Sequence, residues 1–533
     1  MISAHTTAAI RAAEQPLLAA GHGPELMRRA AHGLTLGVVK ILRARGRSLY
    51  GARVLVLAGS GNNGGDALYA GAALATRGAR TTAVLTGART HPEALAAFRR
   101  AGGRCVTEED TAQLALWDEA VRADVVLDGL LGTGGRGGLR GAGAELVARL
   151  QDLTGSVRPA VVACDLPSGV DATTGAVRGP VLRADTTITF GAHKSGLLAA
   201  PGEQFCGTVE LVDIGISSFL GEAALFRLEA ADLAAQLPRP AAADHKYTRG
   251  VAGVVAGSRQ YPGAGLLAVA AASACGPGMV RYLGPASVAA AIHVRNPEVV
   301  CSEESPRELH VQAWLVGPGL DGDGAQRDRA ADAIASGLPT VVDAGALELV
   351  VPAQGQKNAH LILTPHAGEL AAIMARAGSA LDRARIEAEP LAAARAAAQL
   401  LGAVVLLKGA TTVVAAPDGT VFTQANGTPR LATAGSGDTL AGILVALLAM
   451  TAAQAPAHHE AQARAHHEAR EGASGSQIGT GLTPHDLART AALAAALHGE
   501  LSQEDRDAPL NAGQLAGRIP HVWAQLCQIK PQQ

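Results

Sequence analysis

The chain reads as α/β, organised as two domains of three-layer αβα architecture, and three observations carry that reading. At 533 residues it exceeds what one ordinary core supports. From Arg53 onward, short β-branched runs alternate with Ala/Leu-rich helical stretches, the pattern of parallel sheets covered by helices on both faces. That alternation stops near the breaker cluster Pro238-Arg239-Pro240 and starts again at Gly250.

Taken in order, residues 1–50 have helical composition and spacing. Strands are expected at Val54–Ala58, Thr81–Leu85, Val125–Asp128, Ala160–Cys164, Thr186–Phe190 and Val209–Ile214. A boundary falls between Ser217 and Pro240, giving domains 1–222 and 223–533. The second domain is expected to carry strands at Gly250–Ala256, Trp314–Val316, Thr340–Asp343, Leu361–Thr364, Val404–Lys408 and Thr412–Ala415. The run Thr439 to Met450 is almost wholly apolar and predicts a buried helix. Aromatic residues are only 3%, so Ala, Leu and Val must fill the cores.

Composition removes several function classes. Lysine and arginine (45) nearly balance aspartate and glutamate (47), which leaves no electrostatic footprint for nucleic acid or an anionic membrane. Six scattered cysteines form no C-x-x-C pair, so neither a zinc site nor a disulfide framework is expected, and a reducing cytoplasm fits. Every apolar run approaching membrane-spanning length is broken by Gly, Pro or charge. Met1 to Ala20 carries Arg11 and Glu14 and reads as an amphipathic helix, not a signal peptide. Residues 453–480 hold His458-His459-Glu460 and His466-His467-Glu468 before a Gly/Ser-rich stretch; with no Cys or Asp to complete a ligand set, they read as a solvated insertion.

Two glycine-rich loops carry the chemistry. The first, Gly59-Ser60-Gly61-Asn62-Asn63-Gly64-Gly65-Asp66, matches a dinucleotide fingerprint after a strand. A redox Rossmann site also needs an acidic residue about 20 positions on, and none occurs between Asp66 and Glu93. The asparagines instead offer hard amide oxygens suited to a cation or to ribose hydroxyls. Two further strand ends belong at the same sheet edge: Asp128-Gly129-Leu130-Leu131-Gly132-Thr133-Gly134 and Asp165-Leu166-Pro167-Ser168-Gly169-Val170-Asp171. Asn63, Asp128 and Ser168 can form an oxygen cage, Gly132 to Gly138 can wrap phosphates, and Asp165 is the candidate general acid or base. Gly191-Ala192-His193-Lys194 adds a cation.

These segments together resemble the NAD(P)H-hydrate epimerase domain over about residues 1–220, a Rossmann-like fold. The resemblance implies a potassium ion on Asn63, Asp128 and Ser168. It also implies that Asn62, Asn63, Gly64, Gly65, Asp66, Gly132, Thr133, Gly134, Gly138 and Asp165 contact the hydrated dinucleotide. Asp165 would act as acid/base with Lys194 assisting. Ala67 stands where the family commonly has glycine, and its methyl is expected to narrow the pocket.

The second loop, Thr433-Ala434-Gly435-Ser436-Gly437-Asp438, lacks the G-K-[ST] of a Walker loop. Backbone N–H groups at a helix start can hold a phosphoryl group while an adjacent carboxylate takes a proton from an attacking hydroxyl. Strand ends at Gly317-Pro318-Gly319, Asp343-Ala344-Gly345, Thr364-Pro365-His366 and Lys408-Gly409-Ala410-Thr411-Thr412 converge on the same edge. With His245-Lys246-Tyr247-Thr248-Arg249-Gly250, they resemble the ribokinase-like, ADP/ATP-dependent NAD(P)H-hydrate dehydratase over about residues 225–500. The resemblance implies substrate contact by Ala264, Gly319, His366 and Asp438. Nucleotide contact falls to Lys408, Gly409, Ala410, Thr411, Thr412, Gly435, Ser436 and Gly437, with ADP or ATP as co-substrate and magnesium beside it.

The expected function is therefore repair of hydrated NADH and NADPH by a bifunctional, homo-oligomeric enzyme without nucleic-acid or membrane partners. The rival is a ribokinase-like small-molecule kinase whose N-terminal half is a non-catalytic ligand-binding module.

Overall fold

The computed structural model describes residues 1–533 apart from 87–89, 108–118, 136, 154–157, 353–357, 456–480 and 530–533. The two histidine triplets fall within 456–480 and lie outside the described residues. The chain divides into two compact units, Ser3–Leu225 and Phe226–Gln533, the latter joined by Met1–Ile2.

The first unit is built on seven strands: β1 Arg53–Ala58, β2 Arg80–Leu85, β3 Arg104–Thr107, β4 Val125–Gly129, β5 Ala160–Cys164, β6 Thr186–Phe190 and β7 Thr208–Val212. Their order is β3-β2-β1-β4-β5-β6-β7, and every pair is parallel. The sequence shows why. Val54, Val56 and Ala58 pack in one apolar cluster while Leu55 and Leu57 pack in another, so β1 is buried on both faces and reads as a continuous apolar run. Leu34 and Val38 of helix Gly23–Ala44 and Leu68 of helix Asn62–Thr76 cover one face. Leu146 and Leu150 of helix Gly141–Gln151 cover the other. The strand order reverses between β1 and β4, where such sheets bind ligands beyond the strands' carboxyl ends.

The second unit carries β8 Leu225–Arg227, β9 Val251–Val255, β10 Met279–Leu283, β11 Val300–Ser302, β12 Ala313–Val316 and β13 Thr340–Val342. They are followed by β14 Leu361–Leu363, β15 Val404–Leu407, β16 Thr412–Ala415 and β17 Val421–Gln424. The order is β11-β10-β9-β12-β13-β14-β15-β16-β17-β8. From β11 through β15 the pairing is parallel, but β15-β16 and β16-β17 are antiparallel. This departs from the uniformly parallel sheet that strand–helix alternation predicts. Residues 408–411 are too few for the crossover of about a dozen residues that a parallel partner needs, so the chain turns back as a hairpin.

Helix Ser436–Gln454 runs through the core of this unit. It is long and apolar enough to cross a membrane by length and composition, unlike the expectation that every such run is interrupted, because Gly437, Asp438 and Gly442 are outweighed by their apolar neighbours. Within the fold 83% of its apolar window is buried. Helices Pro262–Ala274, Pro484–Leu501 and Ala512–Cys527 surround it, supplying apolar contact from nearly all sides.

Candidate active sites

In the first unit, a cavity of about 460 Å³ opens at the carboxyl ends of β1, β4 and β5. Close backbone packing shapes its floor. A Cβ on Gly59 would sit 1.9 Å from the Leu130 carbonyl oxygen, and one on Gly64 would sit 2.1 Å from the Gly59 oxygen. Only glycine lets the β1 loop, the start of helix Asn62–Thr76 and the β4 loop meet this closely. Asn62, Asn63, Asp66, Gly132, Thr133, Gly134, Asp165 and Lys194 all line the cavity. Gly64 packs on the Gly59 carbonyl, Gly138 abuts the Arg178 carbonyl, and Gly65 faces the His91 ring. The Ala67 methyl does not narrow the pocket: it is fully buried against Gly129 of β4, because residue 67 faces the sheet on its helix.

Asp165 follows β5 directly and holds a left-handed backbone, φ +67°, rare outside glycine and concentrated at functional positions. That turn aims its carboxylate at Lys194, which is 1% exposed and forms an ion pair with it. The Lys194 ammonium also donates to Thr189 Oγ1 (3.0 Å) and the Phe190 carbonyl (2.8 Å). Asp165 Oδ1 further accepts the Phe190 N–H at 3.1 Å.

Asp128, at the end of β4, is fully buried. Its Oδ1 accepts the Ser168 hydroxyl (2.6 Å) and the Leu130 N–H (3.3 Å), and its Oδ2 accepts the Ser168 N–H (2.9 Å). Asn63 donates its amide to the Leu131 carbonyl at 3.0 Å, which fixes the side-chain oxygen's placement beside Gly132. Burial pushes the Asp128 carboxyl up, while the bonds from Ser168 and Leu130 pull against it. No lysine or arginine is among those partners. A buried carboxylate whose partners are one hydroxyl and two backbone N–H groups, with no lysine or arginine among them, leaves its charge open to a cation.

Two charged lining residues escaped the sequence reading. Arg11 donates to the Thr133 carbonyl at 2.7 Å and anchors the β4 loop. Glu14, one turn further along helix Thr7–Ala19, has its carboxyl pushed up by burial, with Asp165 adding and Lys194 opposing. Their only signal was helical spacing in the N-terminal segment, which reads equally as a surface face.

In the second unit, Gly435 adopts φ +87° and caps helix Ser436–Gln454, so the helix's first turn points at the sheet edge. A Cβ there would meet Leu267 at 2.4 Å, so helix Pro262–Ala274 backs the loop. Of the loop amides, that of Ser436 bonds the Thr433 carbonyl at 3.3 Å. A Cβ built on Gly437 would lie 3.6 Å from Lys408 Nζ, placing the lysine over the helix start. Lys408 donates to Asp343 at 2.9 Å and stands 3.8 Å from Glu369. Burial works against its charge, but Asp343 and Glu369, with Asp438 beyond them, outweigh that and raise its pKa. Burial, reinforced by Asp343, pushes the Asp438 carboxyl up to about 6 against the pull of Lys408.

Asp343 was visible as a strand end but carried no assigned role; it is nearly fully buried and also accepts from Thr364 at 2.8 Å. Gly319 and Ala264 are brought together, a Cβ on the glycine lying 2.7 Å from the Ala264 methyl. His366 has a helix-capping role as well: its Nδ1 accepts from the Gly368 and Glu369 N–H groups, with Glu369 returning the bond to its backbone. Residues 409–411 form the β15–β16 turn beside Lys408, and Thr412 opens β16. His498, also unforeseen, contacts Ser436 at 3.2 Å and is held neutral by burial, its pKa lowered to about 4.

Comparison with known proteins accounts for both halves. The YjeF-related protein N-terminus family matches residues 23–196, and the NAD(P)H-hydrate dehydratase family matches residues 252–493. The bifunctional NAD(P)H-hydrate repair enzyme of Mycobacterium tuberculosis is 44% identical over 444 residues, covering 83% of this chain and 88% of that protein. The chain belongs to the bifunctional NAD(P)H-hydrate repair family. An NAD(P)H-hydrate epimerase of Microbacterium testaceum is 44% identical over 245 residues, 46% of this chain and 90% of its own length. Among solved structures, an ADP/ATP-dependent NAD(P)H-hydrate dehydratase from Bacillus subtilis, co-crystallized with ATP and Mg2+, is 26% identical. It covers 56% of this chain and 97% of its own, with a TM-score of 0.45.

The buried Asp165–Lys194 ion pair of the first unit gives a direct test. Lys194→Met leaves Asp165 buried without its cation and should destabilise the first unit by about 3–5 kcal/mol in chemical denaturation. The double variant Lys194→Met/Asp165→Asn should recover most of that loss; equal destabilisation by both variants would show that the pair contributes only packing.

Proposed function

We propose that this chain repairs hydrated NADH and NADPH. Residues 1–222 interconvert the R and S hydrates, and residues 223–533 dehydrate the S form at the expense of ADP or ATP. The products of the second reaction are the reduced cofactor, phosphate, and AMP or ADP. The observation that carries the reading is the meeting of Asp438, Lys408 and Gly437 at the start of one helix. Phosphoryl transfer needs that combination: amides and a cation for the developing charge, and a carboxylate for the proton.

The hydrate carries a hydroxyl on ring carbon 6, and hydroxide is a poor leaving group. Asp438 takes the hydroxyl proton as the oxygen attacks the terminal phosphorus of the nucleotide. The first turn of helix Ser436–Gln454 and Lys408 stabilise the transferring group. Phosphate then leaves with the former hydroxyl oxygen, and the ring loses a proton to regain its double bond. Asp343 positions Lys408, and Ala264, Gly319 and His366 face the substrate. Magnesium would come with the nucleotide as its counterion and would supply further positive charge to the transferring group.

In the first domain, Asn63, Asp128 and Ser168 would hold potassium. The ion would supply the positive charge that buried Asp128 lacks and fix the β4 loop around the substrate's phosphates. Asp165 serves as acid/base, oriented by Lys194, and this intact pair favours catalysis over a purely ligand-binding module.

Asp438→Asn should lower nucleotide-dependent recovery of reduced-cofactor absorbance by about 10²–10⁴-fold while epimer interconversion continues. Loss of both activities, or of neither, would refute the division of labour. The base must be ionised, so the wild-type rate should fall as pH drops through about 6. A stable phosphorylated product in place of free phosphate would favour the small-molecule kinase. For the cation, the melting temperature of wild type should be higher in potassium than in lithium chloride, and Asp128→Asn should abolish the difference; an unchanged difference would remove potassium from this site.

A further inference from the structure

A second aspartate in the first cavity, beside Asp165, has no assigned proton chemistry. Asp66 lies on the first turns of helix Asn62–Thr76, lines the cavity and is 8% exposed. Its Oδ1 is buried and has no hydrogen-bond partner. Lys194 is the nearby cation, but its three N–H donors are matched by Asp165, Thr189 and Phe190. An ionised carboxylate so placed would keep a bare buried oxygen, which is strongly unfavourable. A neutral carboxyl holds a proton ready to deliver to a molecule in the cavity.

We propose that Asp66 is a general acid of the epimerase site, complementary to the Asp165–Lys194 pair. The inference rests on the epimerase reading above and assigns this side chain a step within it. The groups facing it are consistent: Asp165 and Glu14 disfavour a second negative charge, Lys194 opposes them, and burial is the largest influence, so its carboxyl sits well above the usual range. Arg11 acts on Glu14, and the buried Cys164 thiol lies within electrostatic reach of Asp66.

The Asp66 proton passes to the oxygen on ring carbon 6. The C6–O bond breaks, its electron pair leaves with the new water molecule, and the N1 lone pair forms an N1=C6 bond. A water then attacks C6 on the opposite face. Its electron pair forms the new C6–O bond, the N1=C6 pair returns to N1, and its surplus proton goes to the Asp165 carboxylate. One water is lost and one gained. The enzyme finishes with Asp66 ionised and Asp165 protonated, the state that drives the reverse epimerisation; exchange with solvent resets it.

The test uses the full-length chain without nucleotide, following conversion of one purified epimer by chromatography across pH. Asp66→Asn keeps shape and polarity but carries no transferable acid proton. It should slow interconversion at least 100-fold. Interconversion at the wild-type rate would overturn the proposal. Glu14→Gln removes a like charge and should move the alkaline limb of the wild-type profile to lower pH by about one unit. An unmoved limb would also overturn it, and this arm decides the matter if Asp66→Asn does not fold. If wild type itself fails to interconvert the epimers, the epimerase reading falls and takes this step with it, a result distinct from a wild type and an Asp66→Asn that are equally active.

Discussion

A carboxylate removed from water must find a cation, a set of hydrogen-bond donors or a proton, and both sites of this chain are organised by that requirement. Asp165 finds Lys194, Asp343 finds Lys408, and Asp128 finds the Ser168 hydroxyl and two backbone amides. Burial, reinforced by Asp343 and opposed by Lys408, holds the affinity of Asp438 for a proton close to the range a base needs. Parallel strands bring these groups together because each carboxyl end delivers the next residue to the same sheet edge. The apolar strands and alanine-rich helices beneath make that edge rigid enough for such pairing to be specific.

Much of this was legible before any coordinates. Buried parallel strands announce themselves as short apolar runs, so β5 and β6 fall at Ala160–Cys164 and Thr186–Phe190, as expected. The strands not foreseen include β3, with the sequence Arg104-Cys105-Val106-Thr107, and β10, with Arg281 at its centre. Such mixed edge-side strands gain their order from partners, not from pattern. The antiparallel hairpin β15–β16 was hidden for a similar reason: its strands were visible, but direction depends on the length of the link.

The sites divide along the same line. The motif residues assigned to the proposed chemistry, Asn63, Asp128, Asp165, Ser168, Lys408 and Asp438, could be read from glycine-rich strand ends. What could not be read was which neighbours supply the countercharge. Asp343 reaches Lys408 from a different strand, Glu14 reaches the first cavity from the N-terminal helix, and His498 meets Ser436 from far along the chain. Local spacing carries no record of such encounters. The motif glycines 64 and 138 also carry a packing requirement that spacing does not reveal: a Cβ on either would strike a backbone carbonyl.

The central claim is that the C-terminal site converts a hydroxyl into a phosphate ester before the carbon–oxygen bond breaks. Hydrated NADH labelled with ¹⁸O in the ring hydroxyl tests it in one turnover with ATP. The account predicts that the label appears in the released inorganic phosphate. Unlabelled phosphate, with the heavy oxygen recovered in water, would contradict it.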